Sequence, residues 1–126
     1  MAVPATWPRE IAAAGGAYWP LSLFNDEPFV RVVTYEGVDY TTAVFEGGVR
    51  AAFEESSPML APFDFAAELV GSDTVVTVSI AEYDIGILRG GFDPGAIETL
   101  FFNIKCTPDG GDKLTHFAGE FKLQGA

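Results

Sequence analysis

Thr74-Val75-Val76-Thr77-Val78-Ser79-Ile80 is the stretch whose reading decides the rest of the chain. Every residue in it except Ser79 is β-branched. Such side chains are stiff at χ1 and pack well on a pleated surface, so the stretch reads as a strand. Gly71-Ser72-Asp73 before it reads as a turn. After it the period changes. Ser79-Ile80-Ala81-Glu82 matches the capping-box pattern, with Ser79 as N-cap and Glu82 at the third helical position. Tyr83 to Leu88 then suits one or two helical turns, ended by Gly90-Gly91. The expected apolar face is Ile80, Tyr83 or Asp84, Ile87 and Leu88.

Strand signals continue on both sides. Upstream, Trp19 to Phe24, Phe29 to Tyr35, Tyr40 to Phe45 and Val49 to Phe53 are candidates. They are separated by Asn25-Asp26, Glu36-Gly37 and Gly47-Gly48. Phe63 to Val70 alternates at Phe63 and Phe65 but tolerates helix at Ala66 to Leu69; its neighbours favour strand. Downstream, Thr99 to Thr107 and Leu114 to Leu123 form a hairpin around Pro108-Asp109-Gly110-Gly111-Asp112. Thr115, Phe117, Gly119, Phe121 and Leu123 share one parity and form the expected core face. His116 falls on the solvent face. Seven or eight short strands with regular turns and one short helix predict an all-β, antiparallel β-sandwich.

The chain has 126 residues, enough for one domain. Residues 18–126 are expected to form the sandwich and residues 1–17 an extended N-terminal arm. Pro4 and Pro8 block regular structure in the arm, and Gly15-Gly16 is a joint. Hydrophobic residues make up 48% and include eleven Phe, which suits a packed core between sheets. The formal net charge of -11 disfavours nucleic acid and anionic membrane as partners. It suits solubility, or a basic partner surface. No stretch approaches the ~20 apolar residues that span a bilayer. Met1 to Glu10 lacks the layout of a signal peptide, so synthesis in the cytoplasm is expected.

The residues of familiar catalytic and metal chemistry are sparse. Cys106 is the single cysteine, so no internal disulfide forms, and it reads as a buried thiol in an apolar run. His116 is the single histidine, which makes a zinc site remote and leaves no obvious base for a nucleophile. Glu54-Glu55 and Asp109/Asp112 are carboxylate pairs in a loop and a turn, not in a cleft. Asp109-Gly110-Gly111-Asp112 lacks the spaced ligands of a calcium loop. No catalytic residue, metal or cofactor is expected. Trp7, Tyr18, Trp19, Tyr35 and Tyr40 are the aromatics from which a sugar platform could be built.

Several short stretches, taken in order, resemble the N-terminal domain of the phage upper baseplate protein family. They are Val38-Asp39-Tyr40-Thr41-Thr42-Ala43, Gly48-Val49-Arg50, Thr74 to Ile80, Glu82-Tyr83-Asp84 and Gly119-Glu120-Phe121-Lys122-Leu123. The resemblance covers roughly Phe29 to Gln124. It implies an immunoglobulin-like sandwich, no cofactor, and assembly in rings or trimers with other virion structural proteins. It also implies attachment of fibres or receptor-binding proteins at a tail tip. The N-terminal arm departs from that pattern.

The expectation is therefore a non-enzymatic virion protein of a tailed phage, at the tail tip, baseplate or fibre-attachment point, acting by protein–protein packing. Capsid decoration is the alternative within that class, and a carbohydrate-binding module the alternative outside it. The expected interface residues are Trp7, Arg9 and Ile11 on the arm and Glu54, Glu55 and Pro58 on the loop. Buried aromatics commonly dominate interface energy.

Overall fold

The computed structural model describes residues 17–24, 27–52 and 57–125. Among these residues nine strands and one helix follow in order. They are β1 (Ala17–Tyr18), β2 (Leu21–Leu23), β3 (Val30–Tyr35), β4 (Val44–Arg50), β5 (Met59–Pro62), β6 (Asp64–Val70), β7 (Asp73–Ser79), α1 (Glu82–Gly90), β8 (Ile97–Thr107) and β9 (Leu114–Gln124). One sheet has the order β1-β9-β8-β4-β5, with β2 also on β9, and the other has the order β3-β7-β6. The two sheets pack into an all-β sandwich. The strand order is that of an immunoglobulin-type domain, in which one sheet carries the second, fifth and fourth strands of the framework. The pairs between full-length strands are antiparallel, but the short β1 and β2 run parallel to β9.

The core lies where the inward parities meet. Along β7, Thr74, Val76 and Val78 are buried and alternate with half-exposed neighbours. On β8 and β9 the inward residues of the core cluster are Leu100, Phe102, Ile104, Phe121 and Leu123. Four phenylalanines tie the layers together. Phe29 stacks on Phe63 at 5.9 Å and tilts onto Phe121 at 5.1 Å. Phe63 meets Phe102 edge-on at 5.9 Å. Phe63 lies between β5 and β6, where the chain passes from one sheet to the other, and its N–H donates to the Gly47 carbonyl. Arg31 bridges an edge: its guanidinium donates to the Ser22 carbonyl at 2.8 Å and sits over the Phe29 ring.

The structure corrects several expectations. Gly47-Gly48 does not break a strand, because β4 runs through both. A Cβ at Gly47 would stand 2.1 Å from the Asn103 carbonyl oxygen, so glycine permits close pairing with β8. Tyr40 to Ala43 is a turn rather than the start of a strand. The strand Met59–Pro62 has no counterpart in the sequence reading. Ser79 is the last residue of β7, paired with Val30 and Asp64, so it does not cap the helix. Ala81 is the N-cap and makes no side-chain bond. The buried side of α1 is Ile85 and Arg89, while Tyr83 and Ile87 are exposed. Arg89 Nε donates to the Gln124 carbonyl at 2.8 Å and fastens α1 to β9. No described helix is long and apolar enough to cross a membrane.

The Phe cluster generates a direct expectation. Phe121→Ala should cost about 3–5 kcal/mol in urea unfolding, as for other buried aromatics cut to Ala. Gly119→Ala should loosen β1 from β9, because its Cβ would stand 2.4 Å from the Trp19 carbonyl oxygen. Amide exchange at Tyr18 and Trp19 would report that loosening.

Candidate functional site

The outward side chains of the three-stranded sheet form the clearest surface feature. Its register places Val30, Val32 and Thr34 of β3 beside Ser79, Thr77 and Val75 of β7. Those in turn lie beside Asp64, Ala66 and Glu68 of β6. Val30, Val32 and Val70 are exposed, Val32 at 58%. The β-branched residues that make this a strong sheet thus also leave an apolar strip facing water. Asp64 and Glu68 of β6 and Asp73 of β7 share this face. Contiguous apolar surface of this kind marks contact sites more often than scattered single residues do. β3 and β6 are the edge strands of this sheet. The inward parity of β6 is also incompletely covered, because Leu69 is exposed.

A second feature lies beside the loop that the sequence reading singled out. Arg50, Lys105 and Lys113 line a hollow of about 260 Å³ together with Glu46, Gly47, Met59 and Asn103. In a protein of net charge -11 this is a concentration of cations. Lys113 pairs with Glu46 at 2.8 Å. Burial, and then the charges of Lys113 and Arg50, lower the Lys105 pKa, and Glu46 opposes them. Arg50 donates to the Ser57 carbonyl at 2.7 Å, and Ala52 N–H donates to Ser57 Oγ at 3.1 Å, which closes the loop neck. Pro58 follows and is exposed, as are Met59 and Leu60. Trp7, Arg9, Ile11, Glu54 and Glu55 lie outside the described residues.

The one histidine does not face solvent as expected. β9 carries a bulge: Thr115 pairs with Lys105 and Phe117 with Ile104, leaving His116 as the extra residue. The bulge turns its ring into an aromatic cluster with Tyr35 and Tyr40. The Tyr35 hydroxyl shares a hydrogen bond of 2.9 Å with His116 Nδ1. Burial lowers the His116 pKa. Burial also pushes the Tyr35 phenol well above its ordinary range. Both shifts favour the neutral forms of the two groups. Thr74 underpins the cluster: its hydroxyl donates to the Val38 carbonyl at 2.6 Å and accepts from Tyr40 N–H at 2.8 Å.

Of the aromatics considered for sugar binding, Trp7 lies outside the described residues and Tyr18 lines a surface hollow, while the other three pack within the domain. Trp19 packs on Phe102 and Phe117, and Tyr35 and Tyr40 face each other in the cluster. Cys106 is buried, and burial raises its thiol pKa. Among the described residues no three His, Cys, Asp or Glu side chains gather as a metal site. No family model matches the chain, and no curated protein matches it in sequence.

The His116 environment fixes a sign. Its folded pKa lies below the unfolded value near 6.5, so the folded state resists the proton that the unfolded chain accepts. This contribution to stability is complete above pH 6.5 and is lost as pH falls toward the folded pKa. A proton NMR titration should place His116 below 6.5. Tyr35→Phe should lower stability by about 1 kcal/mol through the lost hydrogen bond.

Proposed function

We propose that this chain is a non-enzymatic structural domain that acts by packing against other proteins. Within that class, its place is a virion of a tailed phage, at the tail tip, baseplate or fibre-attachment point. The observation that carries the packing role is the outward face of the three-stranded sheet, where Val30, Val32, Ala66 and Val70 are exposed beside half-buried Val75, with Asp64, Glu68 and Asp73 among them. The complementary surface is apolar with a basic border, since like charge opposite these carboxylates would be repelled. That favours a different protein over a second copy of this acidic chain as the direct contact. Pro58 with Met59 and Leu60 offers a second exposed contact beside the basic hollow.

The setting in a phage particle rests on the resemblance. Four of its five stretches fall on framework positions of the sandwich, and Val38 to Ala43 lies in the turn before β4. Gly48-Val49-Arg50 lies in β4, Thr74 to Ser79 in β7, Glu82-Tyr83-Asp84 opens α1, and Gly119 to Leu123 lies in β9.

Imaging of intact particles with a label on this chain tests the proposal. Label at the tail tip is the expected result. Label on the head would assign capsid decoration instead, and absence from particles would overturn the virion reading. Val32→Glu should leave urea stability within about 0.5 kcal/mol, as for surface substitutions generally. The same variant should be lost from the particle. Undiminished incorporation would remove the three-stranded sheet as the contact.

A further inference from the structure

β5 stops short of covering its neighbour. It pairs with β4 only from Gly48 to Arg50. At Phe63 the chain leaves that sheet for β6, and Phe63 N–H donates to the Gly47 carbonyl at 3.0 Å as it goes. A straight continuation of β5 would lie beside Val44 to Glu46. Among the described residues no strand takes that place. β8 pairs with Val44 to Glu46 on one side, and no pairing covers the other. Backbone groups alternate in direction along an antiparallel strand. The Gly47 carbonyl points to the β5 side, so the N–H and carbonyl of Phe45, two residues earlier, point there too.

The gap holds a hollow of about 350 Å³ between β4 and β6. Phe45, Phe63 and Phe65 line it, and the small side chains of Ala43 and Ala67 leave it room. Phe45 and Phe65 stack at 5.7 Å and stay partly exposed. β6 is itself an edge strand, and Ala67 and Leu69 on its inward parity are exposed. Val44 is 55% exposed. Open edges are normally blunted by charge or proline, and Val44-Phe45 carries neither.

We propose that this gap takes an extended segment of another protein as an added strand beside β4, with an apolar side chain in the hollow and basic side chains toward β6. The open backbone of Phe45 sets the strand form. In strand addition, main-chain hydrogen bonds give affinity and side-chain pockets give specificity. Charge sets the chemistry: β6 carries Asp64 and Glu68 and no cation, and Asp64 lines the hollow. Arg50 and Lys105 lie on the outward parity of β4 and β8, opposite to that of Phe45. A second copy of this chain, of net charge -11, is the poorer fit. The site is separate from the outward face of the three-stranded sheet, and either can fail without the other.

Hydrogen exchange on the free chain tests the open edge. Corrected for intrinsic rates, the Phe45 amide should exchange at least about tenfold faster than that of Val49, which β5 covers. Equal protection of the two overturns the proposal. So does protection of Phe45 that rises with protein concentration, which would assign the edge to a second copy. A short capped peptide of alternating Lys and Val is the probe for the occupant. At millimolar concentration it should slow exchange at Phe45 severalfold. A peptide of alternating Asp and Val should bind at least about tenfold more weakly. Ala67→Trp, which fills the hollow from an exposed position, should abolish the slowing, and Val32→Glu should leave it unchanged. No slowing at Phe45, or equal binding of the two peptides, overturns the proposal. Loss of binding in Val32→Glu alone would place the peptide on the outward face and overturn it as well.

Discussion

The contact among Phe29, Phe63, Phe102 and Phe121 is the interaction on which the rest of the structure depends. A sandwich is stable only if its two sheets are tied across the middle. With one cysteine in the chain, no internal disulfide serves that purpose. The tie is made by rings from four separate places: ahead of β3, between β5 and β6, and on β8 and β9. Offset and edge-on ring pairs contribute about 0.5–1.5 kcal/mol each beyond the area they bury. Because Phe63 sits at the crossing between sheets, the same contact also fixes where the chain changes layer.

Several features follow from that tie. The inward parity of β8 and β9 is committed to large apolar residues, so the outward parity is left for Phe101, Asn103, Ala118 and Glu120. The three-stranded sheet, anchored by Val76 and Val78, turns its other face to water. The two sheets therefore differ in character. One carries a buried carboxylate, Glu120, on its outward parity, and the other presents an exposed β-branched strip. The exposed strip is where the functional proposal rests.

Much of this was legible in residue patterns. The β-branched run from Thr74, the hairpin around Asp109-Gly110 and the core parity of β9 carry strong local signals, while Phe63 to Val70 read as strand only through its neighbours. What was not legible depended on tertiary contact. Gly47-Gly48 resembles a breaker until the Asn103 backbone is seen pressed against it. Ser79 has the chemistry of a helix cap, but its place in the β7 ladder wins. β1 and β2 are too short to show a period, and their parallel pairing arises only against β9. The bulge that turns His116 inward moves one residue out of register, and alternation alone cannot locate it. The apolar strip on the three-stranded sheet was written in the alternation of Phe29 to Tyr35. It went unmarked because strand-forming and interface-forming residues are the same residues.

The central claim is that the ring cluster between the sheets, centred on β8 and β9, is the last part of the fold to open. Native-state hydrogen exchange measures this most directly. The account predicts that the amides of Phe102, Ile104, Phe121 and Leu123 exchange slowest and only with global unfolding, while those of the edge strand β6 open earlier. Exchange of the β8–β9 amides through local opening, ahead of β6, would contradict it.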